Sequence, residues 1–418
     1  MLLRLRSLWA CALFILLSFP AQAQQAPFYL KDGDVVVFYG DSITEQRLYT
    51  TFVEEYVLTR FPDLHVTFVH SGVGGDKVSG GWAGSIDERL DRDLIAYHPT
   101  VVTIMLGMND GLYRSFDPDV MDAYTTGYQH IIEKVTKALP SIRITLIRPS
   151  PFDDVTRPAT VEGGYNTVMQ RYGEYVAHLG QQRGFVVADL NAPVVADLQK
   201  AFAAEPEVAK LIIPDRVHPG AAGHWIMAEA LLKSWNAPAV VTSLALNFRD
   251  HTVIAENTTV SDLKQDGDTL WWTQLDKALP LPVSWQDGTV ALALHSSDFV
   301  QTLDLQRLQA VGLSAGHYML MIDDSRIGEF SADELANSIN LAVLSTPMTQ
   351  QAMSVHWATQ DHNDAHAMLF RLLVHKDDDP DYERAARILA AYEARAVEAQ
   401  RAAAQPKPHR YRLERLKD

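Results

Sequence analysis

Between residues 34 and 236 the chain repeats one pattern, a short apolar run rich in β-branched residues followed by a longer amphipathic stretch. The runs are continuous rather than alternating, which is typical of parallel strands buried on both faces. They lie at 35–39, 66–69, 101–106, 144–147 and 185–190, and helical patterns lie at 43–60, 121–139, 165–182 and 221–235. This alternation predicts an α/β fold, a parallel sheet with helices on both faces.

The pattern changes after Pro238. Residues 240–330 contain short runs broken by Gly, Asp and Pro, among them 289–294, which favours a small antiparallel β module. Ser331-Ala-Asp-Glu334 is a capping-box sequence that opens a helical region. The sequence therefore predicts five segments: a signal peptide at 1–23, an α/β domain at 24–239, a β-rich accessory module at 240–330, a helical region at 331–405 and a basic, solvated tail at 406–418.

The first 23 residues have the features of a secretory signal peptide. Two arginines precede an apolar run at 8–19, and Ala21-Gln22-Ala23 supplies small residues for cleavage after Ala23. The run is short for a membrane span. We expect a secreted or periplasmic protein without a stable membrane span after cleavage. Cleavage would also remove Cys11, the single cysteine, so the mature chain would have no disulfide and no Cys nucleophile or metal ligand.

The charge balance bears on partners. Lys and Arg together number 36 against 52 Asp and Glu, a formal net charge of −16. A chain with this excess of negative charge is repelled by phosphate backbones, so no nucleic acid is expected as a partner.

Polar segments follow several of the predicted strands. The carboxyl ends of parallel strands meet at one rim of a sheet, where α/β proteins bind their ligands. Gly40-Asp41-Ser42 follows the first run, Ser71 to Asp76 the second, and Gly107 to Asp110 the third; Asp215 to His218 precedes the last helix. A serine, a glycine, an asparagine and a histidine are thus expected on one rim.

These residue types suit acyl transfer. A serine hydroxyl needs a base to act as a nucleophile, and His218 is the candidate base for Ser42. Asp215, three residues before His218, would accept the other imidazole N–H and fix the tautomer. The backbone N–H groups of Ser42 and Gly75 and the side-chain amide of Asn109 would form an oxyanion hole.

The four segments, in this order, resemble the motif blocks of the SGNH or GDSL hydrolases (esterases and lipases). The resemblance covers residues 34–236, about half the chain, and rests on Gly-Asp-Ser at 40–42, Gly75, Gly-x-Asn-Asp at 107–110 and Asp-x-x-His at 215–218. It implies a flavodoxin-like three-layer α/β/α domain and ester hydrolysis through a serine acyl-enzyme, without metal or other cofactor. One departure is His70-Ser71, where the family's second block commonly carries an asparagine.

Other candidates surround this set. Asp76 and Trp82 are predicted to contact substrate. Gly312 to Gly316 matches the Gly-x-Ser-x-Gly nucleophile elbow, but it joins two predicted strands instead of a strand and a helix, so we interpret it as a hairpin loop.

Two histidines, His362 and His366, stand four residues apart, with His356 and His375 nearby. Two histidines on one helical face are able to bind zinc, but the spacing fixes no third ligand. We therefore predict no metal site.

The sequence favours an exported serine esterase that hydrolyses carboxylic esters, acetyl esters above all, on an acylated polysaccharide. Three alternatives stay open at this point: an O-acyltransferase that hands the acyl group to a sugar hydroxyl, a lipase or thioesterase for longer acyl chains, and a carbohydrate-binding scaffold formed by residues 240–418.

Overall fold

A computed structural model describes residues 26–374 and 381–417, so the predicted signal peptide lies outside the described residues. Its first sheet has five parallel strands in the order β2-β1-β5-β6-β7, and a separate two-residue hairpin, β3-β4, lies in the loop after β2. The strands are β1 (Val35–Gly40), β2 (Thr67–Gly72), β3 (Gly80–Gly81), β4 (Gly84–Ser85), β5 (Val101–Met105), β6 (Arg143–Arg148) and β7 (Val186–Asp189). This is the strand order of flavodoxin-like sheets, so the predicted α/β/α fold is confirmed.

Helices cover this sheet. They are α1 (Ser42–Glu45), α2 (Leu48–Arg60), α3 (Ile86–Asp93), α4 (Pro118–Ala138), α5 (Tyr165–Arg183), α6 (Ala192–Ala204), α7 (Pro206–Ala209) and α8 (Ala221–Ser234). The helix predicted over 43–60 is two helices, because Arg47 has a left-handed backbone (φ 58°) that interrupts the helical path. The first of the two, the short α1, begins at Ser42, two residues after the end of β1.

The second half of the chain forms two further sheets. Their strands are β8 (Val240–Asn247), β9 (Val253–Glu256), β10 (Thr258–Asp266), β11 (Thr269–Asp276), β12 (Leu305–Val311), β13 (His317–Ile322), β14 (Ser325–Ser331), β15 (Ile339–Asn340) and β16 (Pro408–Arg415). One sheet, β10-β11-β16-β13-β14, is antiparallel throughout. The other, β15-β12-β8-β9, contains a parallel pair, β12 with β8, so the module is mixed rather than purely antiparallel.

Two local expectations were wrong. Residues 289–294 lie in a helix, because Asp287 caps its first turn and the buried Val290, Ala293 and Leu294 follow helical spacing. The segment 312–316 joins β12 to β13, which belong to different sheets, so it is a connection between sheets and not a hairpin loop.

The segment predicted as a solvated basic tail, 406–418, contains strand β16, which pairs with β11 on one side and β13 on the other. Tyr411 and Leu413 are buried in an apolar core formed by the second half of the chain, which includes Trp272, while Arg410 and Arg412 point outward. Arg410 and Arg412 occupy alternate positions of an amphipathic strand. The prediction of a solvated tail considered only the number of basic residues and not this alternation.

The remaining helices are α9 (Gly288–Ser296), α10 (Phe299–Leu303), α11 (Ala332–Ala336), α12 (Pro347–Val374) and α13 (Tyr382–Ala404). The predicted capping box is present, with Ser331 and Glu334 closing it at the start of α11. Helices α12 and α13 pack against each other and against α2, and α12 also reaches β2. The C-terminal helices therefore lie on the α/β domain. Across residues 26–374 and 381–417, none of the helices has both the length and the apolarity that a membrane span requires.

Buried titratable side chains join α12 and α13 to the α/β domain. On α2, Glu54 binds His362 Nδ1 at 3.0 Å with one carboxylate oxygen and His70 Nε2 at 3.2 Å with the other. On α13, Glu393 lies 2.9 Å from His366 Nδ1 and 3.5 Å from His362 Nε2. Because burial without a partner is costly for such groups, Glu54 ties α12 to the domain and Glu393 ties α13 to α12. Gln400 of α13 also donates to Glu54, at 2.8 Å.

The histidines considered for zinc are accordingly engaged with carboxylates from other helices. His356 likewise binds Glu55 at 2.6 Å, and His375 lies outside the described residues. In the part of the chain that the structure covers, no three His, Cys, Asp or Glu side chains are grouped to hold a metal ion.

The stability of this junction is expected to fall as the pH rises from 7 to 10. Burial disfavours the charged form of His362, but the carboxylates of Glu54 and Glu393 outweigh it and raise its pKa to about 10, above the ordinary 6.5. The stabilisation is present in full below pH 6.5 and is lost as the pH rises through 10, on the order of 5 kcal/mol in all.

Thermal unfolding at pH 7, 8, 9 and 10 measures this loss. His362→Gln removes the titrating group, so the variant should be less stable than wild type at pH 7 and its melting temperature should change less between pH 7 and 10. Parallel pH profiles for the two proteins would contradict the assignment.

Candidate active site

Ser42 stands at the carboxyl end of β1, as the first residue of α1. Asp41 is the N-cap, and its carboxylate accepts the backbone N–H of Ile43 at 3.0 Å. Gly40 is required in this turn, because a Cβ there would lie 2.2 Å from Thr44 Oγ1. The tight strand-to-helix turn thus fixes Ser42 at the rim of the sheet.

His218 is in hydrogen-bond contact with this serine, and Asp215 with His218. Ser42 Oγ lies 2.8 Å from His218 Nε2, and His218 Nδ1 lies 2.7 Å from Asp215 Oδ2. An ionised carboxylate only accepts, so Nδ1 carries the proton and Nε2 of the neutral ring faces the hydroxyl as an acceptor. This is the tautomer that a general base needs.

Asp215 is held by the backbone of its own loop. Its Oδ1 accepts the N–H groups of Val217 at 2.9 Å and His218 at 2.7 Å. Partial burial opposes ionisation, but the hydrogen bonds from the backbone N–H and the ring of His218 outweigh it and lower the pKa of Asp215. Asp215 is therefore ionised at neutral pH and stabilises a positive charge on His218.

The loop that carries this pair is strained. Arg216 has φ 76°, the left-handed region that non-glycine residues rarely adopt. Its side chain donates to the carbonyl of Pro158 at 2.7 Å, and its own carbonyl accepts the N–H of Asp153 at 2.9 Å. These bonds hold the turn that folds Asp215 back onto His218, and no motif in the sequence predicts them.

The loop after β2 lies beside the serine. A Cβ on Gly74 would be 3.9 Å from Ser42 Cβ, and Gly75 adopts φ 77°, a conformation that favours glycine. From the loop after β5, the Asn109 amide Nδ2 donates to the carbonyl of Asp76 at 3.0 Å. The three predicted oxyanion donors therefore come from adjoining loops.

Asp76 does not face substrate, which corrects the sequence-based expectation. Its side chain is fully buried and accepts a hydrogen bond from Arg89 Nε at 2.7 Å. The Arg89 guanidinium also binds the buried Asp93 and donates to the carbonyl of Ser71 at 3.0 Å. The Asp76 carboxylate therefore supports the loop after β2 from its buried side. The main-chain carbonyl of the same residue accepts the hydrogen bond from Asn109.

Trp82, the other predicted substrate contact, lies at the tip of the β3-β4 hairpin and is 62% exposed. Its indole N–H donates to the carbonyl of Gly74 at 3.0 Å, next to the glycine predicted for the oxyanion hole. The hydrogen bond places a flat apolar face close to the site. This is where a sugar ring or an aromatic group could stack.

Helix α12 also reaches the site, which the sequence did not predict. Phe370 forms a small buried cluster with Val73 and Ala83 of the loop after β2. Arg371 lies 3.4 Å from Glu45 in α1. Helix α12 therefore contacts both the loop after β2 and the short helix α1 that begins at Ser42.

The Gly-x-Ser-x-Gly serine has a different setting. Ser314 lies between β12 and β13, and its hydroxyl is 3.4 Å from Asp268. The described contacts of this side chain include no histidine. No strand-to-helix turn presents it, so the motif lacks the context that an elbow requires.

Three comparisons show which known proteins this chain is similar to. Residues 38–226 match the model of the GDSL-like lipase/acylhydrolase family. An acetylxylan esterase of Geobacillus stearothermophilus is 27% identical over 224 residues, 48% of this chain and 93% of that protein. The solved structure of a gut microbial diltiazem-metabolizing enzyme is similar over 94% of this chain and 100% of its own, with TM-score 0.80 and 27% identity. The last similarity extends beyond the α/β domain into the C-terminal half.

Proposed function

Residues 38–226 of this chain belong to the GDSL-like lipase/acylhydrolase family, and from this premise we propose that the protein is a serine esterase. The observation that carries the proposal is the continuous hydrogen-bonded series from Asp215 through His218 to Ser42, with distances of 2.7 and 2.8 Å.

In the proposed mechanism Ser42 Oγ attacks the ester carbonyl while His218 Nε2 takes the hydroxyl proton. The backbone N–H groups of Ser42 and Gly75 and the Asn109 amide stabilise the negative charge on the carbonyl oxygen. His218 then gives its proton to the departing alcohol, which leaves the acyl group on Ser42. A water molecule, deprotonated by His218, attacks this acyl-enzyme, releases the carboxylic acid and restores the serine.

For substrate we propose acetyl esters on a polysaccharide. The similarity to an acetylxylan esterase supports the acetyl group and the sugar polymer. The exposed indole of Trp82 beside Gly74 supports stacking on a sugar ring. His218 and Asp215 keep 36% and 57% of their side-chain surface exposed, so the site is open enough for a polymer.

A second candidate substrate class is a small aromatic acetyl ester. The specific observation that favours it is the nearly full-length similarity to a diltiazem-metabolizing enzyme, which includes the C-terminal helices that contact the site. Diltiazem is an aromatic molecule with one acetyl ester. The exposed face of Trp82 would stack on such a ring as it would on a sugar.

Acetate release separates these substrate classes. Wild-type protein is incubated with acetylated xylan, pectin, peptidoglycan and chitin, and separately with diltiazem; Ser42→Ala is the inactive control and Ser314→Ala the matched one. Release from one polymer supports the polysaccharide proposal, and release from diltiazem alone favours the second class. Release from neither, with octanoyl esters cleaved faster than acetyl esters, would replace both with a lipase. Faster turnover of a simple ester on adding an oligosaccharide would indicate acyl transfer.

We also propose that the protein is exported. The basis is the signal-peptide pattern at residues 1–23, which lies outside the described residues. A mature N-terminus at Gln24, determined by mass spectrometry of the native protein, would support cleavage after Ala23, whereas an intact N-terminus would contradict it.

A further inference from the structure

The loop after β5 contains two consecutive strained residues. Leu112 has φ 56° and Tyr113 φ 54°, both in the left-handed region. Non-glycine residues rarely adopt it, and such conformations persist where the surrounding structure holds them, often at functional sites. The loop begins with Gly107 to Asp110, which carries Asn109, so the strain lies within four residues of a proposed oxyanion donor.

The strained segment places the Tyr113 side chain on Asn109. The Tyr113 hydroxyl lies 3.0 Å from Asn109 Oδ1. Its ring stacks on Tyr165 with a centroid distance of 5.1 Å, and Tyr165 is itself fixed because its hydroxyl donates to the carbonyl of Met108 at 2.6 Å. The hydroxyl of Tyr113 is therefore held against the amide by a ring that cannot move freely.

The hydrogen-bond partners decide which way the amide points. The Asp76 carbonyl, 3.0 Å from the amide, is able only to accept, so it must face the NH₂ group of Asn109. The opposite atom is then the amide oxygen, and the Tyr113 hydroxyl must donate to it. The second N–H of the amide remains for the oxyanion. A flipped amide would instead present its oxygen to the developing negative charge.

We propose that Tyr113 is a positioning residue for the oxyanion hole, whose hydroxyl holds the Asn109 amide in the orientation that donates to the transition state. The inference rests on the proposed function of Ser42 and deepens it. Burial, together with the carboxylates of Asp41 and Asp215, raises the pKa of Tyr113 to about 12, so the hydroxyl keeps its proton throughout the ordinary assay range.

Tyr113→Phe tests the proposal, because it removes the hydroxyl and keeps the stacked ring. A lost oxyanion donor costs about 10²–10³ in kcat, and a donor that is only misoriented part of the time should cost less, about tenfold. We expect this loss in kcat for an acetyl ester, with KM and the melting temperature close to wild type. The pH dependence of kcat should keep its shape, because the base His218 is untouched.

A double-mutant cycle with Asn109→Ala identifies the route of the effect. If the hydroxyl acts through the amide, Tyr113→Phe should change kcat less than twofold in the Asn109→Ala background. A tenfold loss in that background as well would overturn the proposal, as would a rise in KM at constant kcat, which would make the hydroxyl a substrate contact. Wild-type kcat for Tyr113→Phe would also overturn it.

The proposed function fails by a separate result, namely activity that survives Ser42→Ala. Loss of activity in Ser42→Ala together with wild-type kcat in Tyr113→Phe would overturn only the role of Tyr113. The two proposals are thus distinguished by two variants measured with the same acetyl ester.

Discussion

Ser42→Ala should lower kcat for acetyl ester hydrolysis by about 10⁴-fold or more, with little change in stability. The substitution removes the atom that would form the acyl-enzyme, leaving only the oxyanion donors and substrate binding. The described hydrogen bond of the Ser42 hydroxyl is to His218, and the cap of α1 is supplied by Asp41, so the turn itself should survive. The measurements are initial rates with p-nitrophenyl acetate and the thermal unfolding temperature.

Three companion variants show whether the loss is specific. Ser314→Ala, the serine of the Gly-x-Ser-x-Gly segment, should retain wild-type kcat because its described partner is Asp268. His218→Ala and the double variant with Ser42→Ala should be about as inactive as Ser42→Ala alone, since the two groups act as a unit. A fully active Ser42→Ala with an inactive Ser314→Ala would reverse the assignment of the nucleophile.

Replacement of Arg89 by methionine is expected to cost about 3–5 kcal/mol in the free energy of unfolding. The guanidinium is fully buried between Asp76 and Asp93, and its carbon lies 4.9 Å from the ring centroid of Tyr39. Without it the buried carboxylate of Asp76 loses the ion pair with Arg89 and must ionise unpaired or take up a proton, while Asp93 retains Arg92. Burial already raises the pKa of Asp76 even with Arg89 in place.

The same substitution should also lower activity, because the Asp76 carbonyl holds the Asn109 amide. Urea denaturation gives the stability change, and kcat at 25 °C gives the effect on the site. Arg92→Met is the matched control: this guanidinium also contacts Asp93, at 2.6 Å, but is 24% exposed, so its loss should cost about 1 kcal/mol.

Arg89→Lys keeps one positive charge and should recover part of the stability, which keeps the test informative if Arg89→Met does not fold. Equal losses of stability for Arg89→Met and Arg92→Met would show that the buried ion pairs are not what holds this loop.

Much of the site could be predicted from the sequence because its geometry follows from chain order in a parallel sheet. Once β1, β2 and β5 are identified by their buried apolar runs, the segments after them must lie on one rim. Ser42 was found this way, and Asp215 and His218 by their segment before the last helix; the structure joins the three in one hydrogen-bonded series. The sequence did not point to Tyr113, because its proposed role in positioning Asn109 depends on a left-handed backbone. No residue type in the loop predicts that conformation.

The sequence by itself determined the α/β alternation and the segments that form the rim, since both depend on local periodicity and on neighbouring residues. Tertiary structure alone decided that Asp76 turns inward to Arg89, that residues 408–415 form a central strand, and that His362 binds Glu54 from 308 residues away. In each case the position of a charged side chain depends on distant segments. Asp76 and His362 contact groups from other parts of the chain, and Arg410 and Arg412 point outward only because this strand pairs with two others. Local sequence does not show which distant group will compensate a buried charge, and that is why these contacts could not be predicted from it.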